Sequence, residues 1–252
     1  MDLGLKGLKA IVTGGTRGIG RAIADTLAAE GCDVGICARN EQEVKAAVAE
    51  LKKTGCNATG AALDVADGDA LKQWITSAAD ELGGLDILVS NVSAFGSSPG
   101  EDSWKASFDV DLMGTVRAIE AATPKLLESE HAAIVVTGSA SAIEARAIEP
   151  YGAAKAALLH VVGGVSQQLA KQGVRANTVT PGPVFFEGGV WDRLQKQAPQ
   201  YYDGMLARCP TGRMSTPQEI ANAAVFLASP AAAHITGTNL IVDGGLLTRV
   251  QF

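Results

Sequence analysis

No stretch of this chain holds more than two consecutive basic residues. Its 21 lysines and arginines are scattered and outnumbered by 27 acidic residues, leaving a formal charge of −6. An acidic chain without a basic patch repels phosphate backbones, so nucleic acid is not an expected partner. Cysteine is sparse as well. Cys32, Cys37, Cys56 and Cys209 form no C-x-x-C pair, and His131, His160 and His234 lie far from them and from one another. Neither a disulfide scaffold nor a metal site is expected from that spacing. Long hydrophobic runs are also missing. The most apolar stretch, 156–165, is too short to span a bilayer and carries His160. The start, Met-Asp-Leu-Gly-Leu-Lys, lacks the basic-then-apolar order of a signal peptide. The expectation is a soluble cytoplasmic protein with reduced thiols, and no membrane partner.

What the chain does hold is apolar and glycine-rich. Of 252 residues 47% are hydrophobic, and 29 are glycine. That is enough apolar surface to offset the entropy of ordering, which excludes a disordered chain. Apolar runs of strand length alternate with helical patterns: strands at 9–13, 33–38, 58–63, 85–89, 132–137, 174–180 and 239–242. Between them lie helices at 18–30, 41–54, 67–82, 103–128, 151–171 and 217–227, the third capped by Asp67. Strands separated by helices pair in parallel through crossovers, and their lack of polar alternation fits a sheet covered on both faces. No repeat or low-complexity linker interrupts the pattern. The expected fold class is α/β: one doubly wound parallel sheet of about seven strands within a single domain, 1–252. One connection, 183–210, is long enough to be a functional lid.

Thr13-Gly-Gly-Thr-Arg-Gly-Ile-Gly20 lies between the first strand and the first helix. A glycine-rich turn there lets backbone approach a pyrophosphate, and the helix start supplies free N–H groups and a positive dipole end. Glycine also punctuates ordinary turns, but the place of this one, in the chain's first βαβ unit, points to a dinucleotide. At the end of the second strand NAD(H) sites carry an acid that bonds the ribose 2′-hydroxyl. This chain has Ala38 and Arg39 instead, with Arg17 inside the turn. Two planar guanidinium forks suit a 2′-phosphate, which favours NADP(H) over NAD(H).

These residues resemble the short-chain dehydrogenase/reductase family. The T-G-x-x-x-G-x-G pattern is Thr13, Gly14, Gly18 and Gly20, and the Y-x-x-x-K pattern is Tyr151 and Lys155. Thr137-Gly-Ser-Ala-Ser141, Asn177-Thr-Val-Thr-Pro-Gly182 and the tail 235–245 complete a likeness that runs nearly end to end. The nearest subgroup is that of the 3-oxoacyl-carrier-protein-reductase-like enzymes. The resemblance implies a single-domain Rossmann fold and an NADP-linked reductase or dehydrogenase of a ketone and its secondary alcohol. It implies a cofactor site of Gly14, Thr16, Arg17, Gly18, Ile19, Gly20, Arg39, Asp64, Val65, Asn91, Tyr151, Lys155, Pro181, Gly182 and Val184. It makes Ser139, Tyr151 and Lys155 catalytic, with Ser141 as the fallback serine in the substrate site. Tyr151 and Lys155, four apart, share a helix face, and an ammonium beside a phenol lowers a pKa that is ordinarily near ~10.

Three departures stand out. Ser90-Asn91-Val92-Ser93 replaces the family's N-N-A-G, Asp111 stands where a catalytic Asn is usual, and Phe186 stands where a Thr often meets the cofactor amide. An ionised Asp accepts but does not donate, so Asp111 is read as a proton-relay member that accepts from a water leading to Lys155. The chain has twelve aromatic residues, and five of them, Phe185, Phe186, Trp191, Tyr201 and Tyr202, fall in the lid. Phe185, Phe186 and Trp191 are therefore expected against a bulky or cyclic substrate, with Glu144, Arg146, Glu149 and Glu187 at the fringe. The helix 151–171 is apolar around most of its circumference, and the helix 103–128 carries its own apolar set. Two such faces predict a homo-oligomer, a homotetramer by resemblance. The alternatives are an NAD-linked alcohol dehydrogenase of the same family and a dinucleotide-binding protein without turnover.

Overall fold

The computed structural model describes residues 2–95 and 100–248. Seven parallel strands form one sheet in the order β3-β2-β1-β4-β5-β6-β7. They are β1 (Lys9–Thr13), β2 (Asp33–Ala38), β3 (Ala58–Ala62), β4 (Ile87–Ser90), β5 (Ala133–Thr137), β6 (Arg175–Pro181) and β7 (Asn239–Val242). The order reverses between β1 and β4, and the crevice beyond the strand ends at such a point is where α/β sheets hold ligands.

Alternate residues of each strand serve opposite faces, and both faces are apolar. Val12, Ile36, Val89, Val135 and Val179 pack under α1 (Gly18–Ala29), α2 (Glu41–Lys52) and α9 (Pro217–Ala228). Their neighbours Ile11, Cys37, Leu88, Ile134 and Val136 pack under α3 (Gly68–Leu82), α5 (Gly114–Leu126) and α6 (Pro150–Leu169). Burial on both faces is why the strands read as continuous apolar runs.

The helix starts are set locally. Asn40 accepts from the N–H groups of Gln42 and Glu43, Asp67 from Ala70, and Thr216 forms a capping box with Glu219. Pro150 opens α6, where its missing N–H costs nothing.

One region differs from the sequence expectation. The helix expected over 103–128 begins at Glu101 and is not uniform: α4 (Glu101–Ser107) passes through a π-helical segment, Phe108–Met113, into α5. The widened turn shifts the facing of the residues it contains, and such segments concentrate at functional sites. The connection after β6 folds into two short helices, α7 (Val190–Gln197) and α8 (Pro199–Ala207). Met205, Cys209, Met214 and Leu246 form a small buried cluster beneath them.

Asn91 ties the switch point together. Its backbone N–H donates to Thr13 Oγ1 at 3.0 Å, and its carboxamide reaches the carbonyls of Thr13 and Gly14, both at 3.4 Å. Thr137 Oγ1 donates to Asn91 Oδ1 at 3.2 Å. The ends of β1, β4 and β5 are thus linked through one side chain.

Candidate active site

A single cleft of about 1880 Å³ opens over the carboxyl ends of the central strands. That is well above the roughly 300–1,000 Å³ of a site for one small ligand. One end is the turn between β1 and α1. Gly14 and Gly18 there hold φ of 71° and 57°, a region that side-chain-bearing residues rarely occupy. The residue preceding α1 is Arg17, which makes no side-chain cap. Unlike α2, α3 and α9, α1 therefore offers its first N–H groups to the cleft.

The residues expected to hold a dinucleotide mostly line this cleft: Gly14, Thr16, Arg17, Gly18, Ile19, Arg39, Asp64, Val65, Asn91, Pro181, Gly182 and Val184. Arg17 and Arg39 are exposed and make no ion pair among the described residues. Gly20 is the exception. It is buried behind the turn, where a methyl group would run into the Gly14 carbonyl and the Asn91 amide. Its hydrogen side chain allows close packing of helix on strand.

At the other end stand Ser139, Tyr151 and Lys155. Ser139 follows β5, and its Oγ accepts the Ser141 N–H at 3.1 Å, capping a short 3-10 turn, Ala140–Ala142. Tyr151 and Lys155 lie one turn apart on the first half of α6. Lys155 is 2% exposed; its Nζ donates to the Thr137 carbonyl at 3.0 Å and lies 3.2 Å from Asp111 Oδ1. Asp111 is wholly buried in the π-helical segment. Its Oδ2 accepts the Ala94 N–H at 3.0 Å, its Oδ1 has the ammonium as its polar neighbour, and its backbone carbonyl accepts from Thr115 Oγ1 at 2.8 Å.

The electrostatics of this cluster differ from the sequence expectation. Burial drives the Lys155 pKa down, and the Asp111 carboxylate opposes it. Tyr151 is not lowered in the protein alone but pushed up to about 12. Burial is the main cause; the Ser139 hydrogen bond acts against it, and the Asp111 and Glu149 carboxylates add to it. The Lys155 Nζ is 6.0 Å from the Tyr151 ring centroid, but its charge is answered by Asp111. The phenol is held as a proton donor across neutral pH.

The substrate-site expectations divide. Ser141 and Trp191 line the cleft, and Trp191 stacks on Tyr201 with centroids 5.9 Å apart. Phe186 lines it too, but at the dinucleotide end, where its ring lies over Gly18 and Gly189. Phe185 does not reach the cleft. It packs on the buried cluster under the lid and meets the Tyr202 ring edge-on at 6.3 Å. Side chains adjacent along an extended segment point to opposite sides, so one of this pair had to turn away. Glu144, Arg146 and Glu149 line the cleft, whereas Glu187 does not. Arg146 and Arg208 both pair with Glu144, at 2.6 and 2.9 Å, and hold its carboxyl below the usual range. Sequence reasoning missed Phe95, Phe108 and Met113, which also line the cleft. The one available signal was that the first two are among the seven aromatics outside the lid.

A family model described as enoyl-(acyl carrier protein) reductase matches residues 14–247. The chain belongs to the short-chain dehydrogenase/reductase family. It is 38% identical over 259 residues to an isoepoxydon dehydrogenase of Penicillium expansum, covering 100% of this chain and 99% of that protein. It is 33% identical to an L-rhamnose 1-dehydrogenase (NAD(P)(+)) of a Sphingomonas species, covering 98% of this chain and 99% of the other. Among solved structures, L-sorbose reductase of Gluconobacter frateurii, complexed with NADPH and L-sorbose, matches with a TM-score of 0.90 and 30% identity. That match covers 99% of this chain and 100% of the other. Membership of this short-chain dehydrogenase/reductase family makes the chain an oxidoreductase. It also gives the departures at Asp111 and Phe186 their interest, because Phe186 lines the cleft and Asp111 is buried against Lys155, which lines it.

Proposed function

We propose that the chain is an NADP(H)-dependent enzyme that interconverts a bulky or cyclic ketone and its secondary alcohol. The observation that carries this reading is the continuity of one cleft, from an uncapped helix start at the glycine turn to the Ser139–Tyr151–Lys155–Asp111 cluster. The residues fit a dinucleotide. Gly14, Thr16, Gly18 and Ile19 would surround its pyrophosphate, and Arg17 and Arg39 its 2′-phosphate. Asp64 and Val65 would lie at the adenosine end; Asn91, Tyr151, Lys155, Pro181, Gly182 and Val184 lie toward the nicotinamide end. When bound, NADP(H) supplies or accepts the hydride.

The chain's own residues handle the oxygen and the proton. Ser139 donates a hydrogen bond to the substrate oxygen, where negative charge develops. In reduction the Tyr151 phenol gives its proton to that oxygen, and in oxidation the phenolate takes it back. Lys155 holds a positive charge one helical turn away, and Asp111 keeps that charge in place under full burial. The segment 183–210 serves as a lid, with Trp191, Tyr201 and Met205 lining the cleft from α7 and α8. This aromatic wall favours a cyclic substrate over a small linear one.

Assembly as a homotetramer belongs to the same reading. On α6 the buried side carries Ala154, Leu158 and Val162, yet Ala157, Leu159, Val161 and Val165 remain partly exposed and Ala156 fully so. An isologous contact would cover that face. The four free cysteines support a reducing, cytoplasmic setting.

Tyr151→Phe removes the donor and keeps the ring, so ketone turnover falls by at least ~100-fold. Near-normal steady-state rates in that variant would move the proton transfer elsewhere. Arg39→Asp reverses a charge at the 2′-phosphate, and fluorescence titration should show NADPH weakened and NADH favoured. Equal affinities for the two cofactors in the unaltered protein contradict the assignment. Light scattering at micromolar concentration is expected to give about four chain masses; a stable mass near 25.8 kDa refutes the assembly.

A further inference from the structure

Phe95 sits in a place that stability does not explain. It is the one described non-glycine residue with a positive φ, 49°, and its side chain is 54% exposed. Left-handed backbone at a bulky residue is strained and persists only where surroundings impose it. The ring, a little under half buried, offsets only part of that strain by burial. Two hydrogen bonds impose the conformation. The Phe95 N–H donates to Ser93 Oγ at 3.1 Å, and the Ala94 N–H donates to Asp111 Oδ2 at 3.0 Å. The second bond runs to the carboxylate that also faces Lys155 at 3.2 Å. The ring so placed stacks on Tyr151, with centroids 5.6 Å apart and planes 26° from parallel, and lines the cleft.

We infer that Phe95 is a specificity-determining residue: a fixed aromatic platform beside the Tyr151 phenol that selects ketones carrying a flat ring next to the carbonyl. The inference rests on the reading of this cleft as a ketone site and adds to it the shape that is recognised. Centroid separations of ~4.5–7 Å are those at which aromatic rings attract beyond simple area burial. A ring attached to a carbonyl held at the Tyr151 hydroxyl lies within reach of the same stacked pair. A linear chain offers no π-face to it. Asp111 is here a positioning residue, since it pins the platform loop and the ammonium with its two oxygens.

The test is equilibrium binding to the full protein saturated with NADP⁺, where no reduction can follow. The probes are 1-tetralone and 2-decanone, which have the same number of carbon atoms. Phe95→Ala is expected to weaken 1-tetralone by at least about tenfold, the scale of one aromatic contact, and 2-decanone by less than about twofold. Phe95→Tyr, which keeps the ring, restores 1-tetralone binding. Equal losses for the two ketones, unaltered 1-tetralone binding in Phe95→Ala, or no 1-tetralone binding by the unaltered protein overturns the platform. Failure of the parent reading looks different: NADPH is not oxidised by any ketone, while the binding ratio still reports on Phe95.

Discussion

An ammonium and a carboxylate, both shut off from water, face each other at 3.2 Å where α6 crosses the ends of the central strands. Burying either charge alone costs several kcal/mol, so each is tolerated because the other is present. The pair sets demands on the whole fold. Lys155 must enter from α6, which Pro150 starts at the right point. Asp111 must enter from the opposite helix, which widens into a π-helical segment where the carboxylate is needed. The Thr137 carbonyl at the end of β5 accepts a hydrogen bond from the ammonium.

The same carboxylate reaches outward through Ala94 to the loop that carries Phe95. One side chain therefore joins the buried ion pair to a loop that lines the cleft. It also changes the electrostatics. A lysine without a fixed counter-charge would pull the neighbouring phenol pKa down, but here the ion pair is nearly neutral from a distance. The phenol, pushed up to about 12 largely by burial, remains a donor.

Much of this was legible in the sequence because it depends on local rules. Alternating apolar runs and helical periods report a parallel sheet covered on both faces. The glycine turn, Ser139, Tyr151 and Lys155 carry order and spacing that survive without coordinates. What was not legible depends on contacts between distant segments. Nothing in Phe108–Met113 marks a π-helical turn, since its cause is the partner that Asp111 meets across the core. The conformation of Phe95 is imposed by a residue sixteen positions away in the chain. Phe185 and Phe186 look equivalent as neighbours in composition, yet the extended backbone sends them to opposite sides. Gly20 matched a ligand motif, but its hydrogen side chain is needed against the Gly14 carbonyl.

The central claim is that Asp111 compensates the charge of Lys155 and so adds to burial in keeping Tyr151 protonated. Asp111→Asn tests it most directly, because Asn keeps an acceptor for the Ala94 N–H while replacing the charged oxygen that faces Lys155 with a neutral NH2. The quantity to measure is the pH dependence of NADP⁺-linked alcohol oxidation, with NADP⁺ affinity followed in parallel. The account predicts that turnover is retained or raised and that its rising limb moves to lower pH, as an uncompensated ammonium stabilises the phenolate. Loss of nearly all turnover with cofactor affinity unchanged, or a limb that stays where it was, would contradict it.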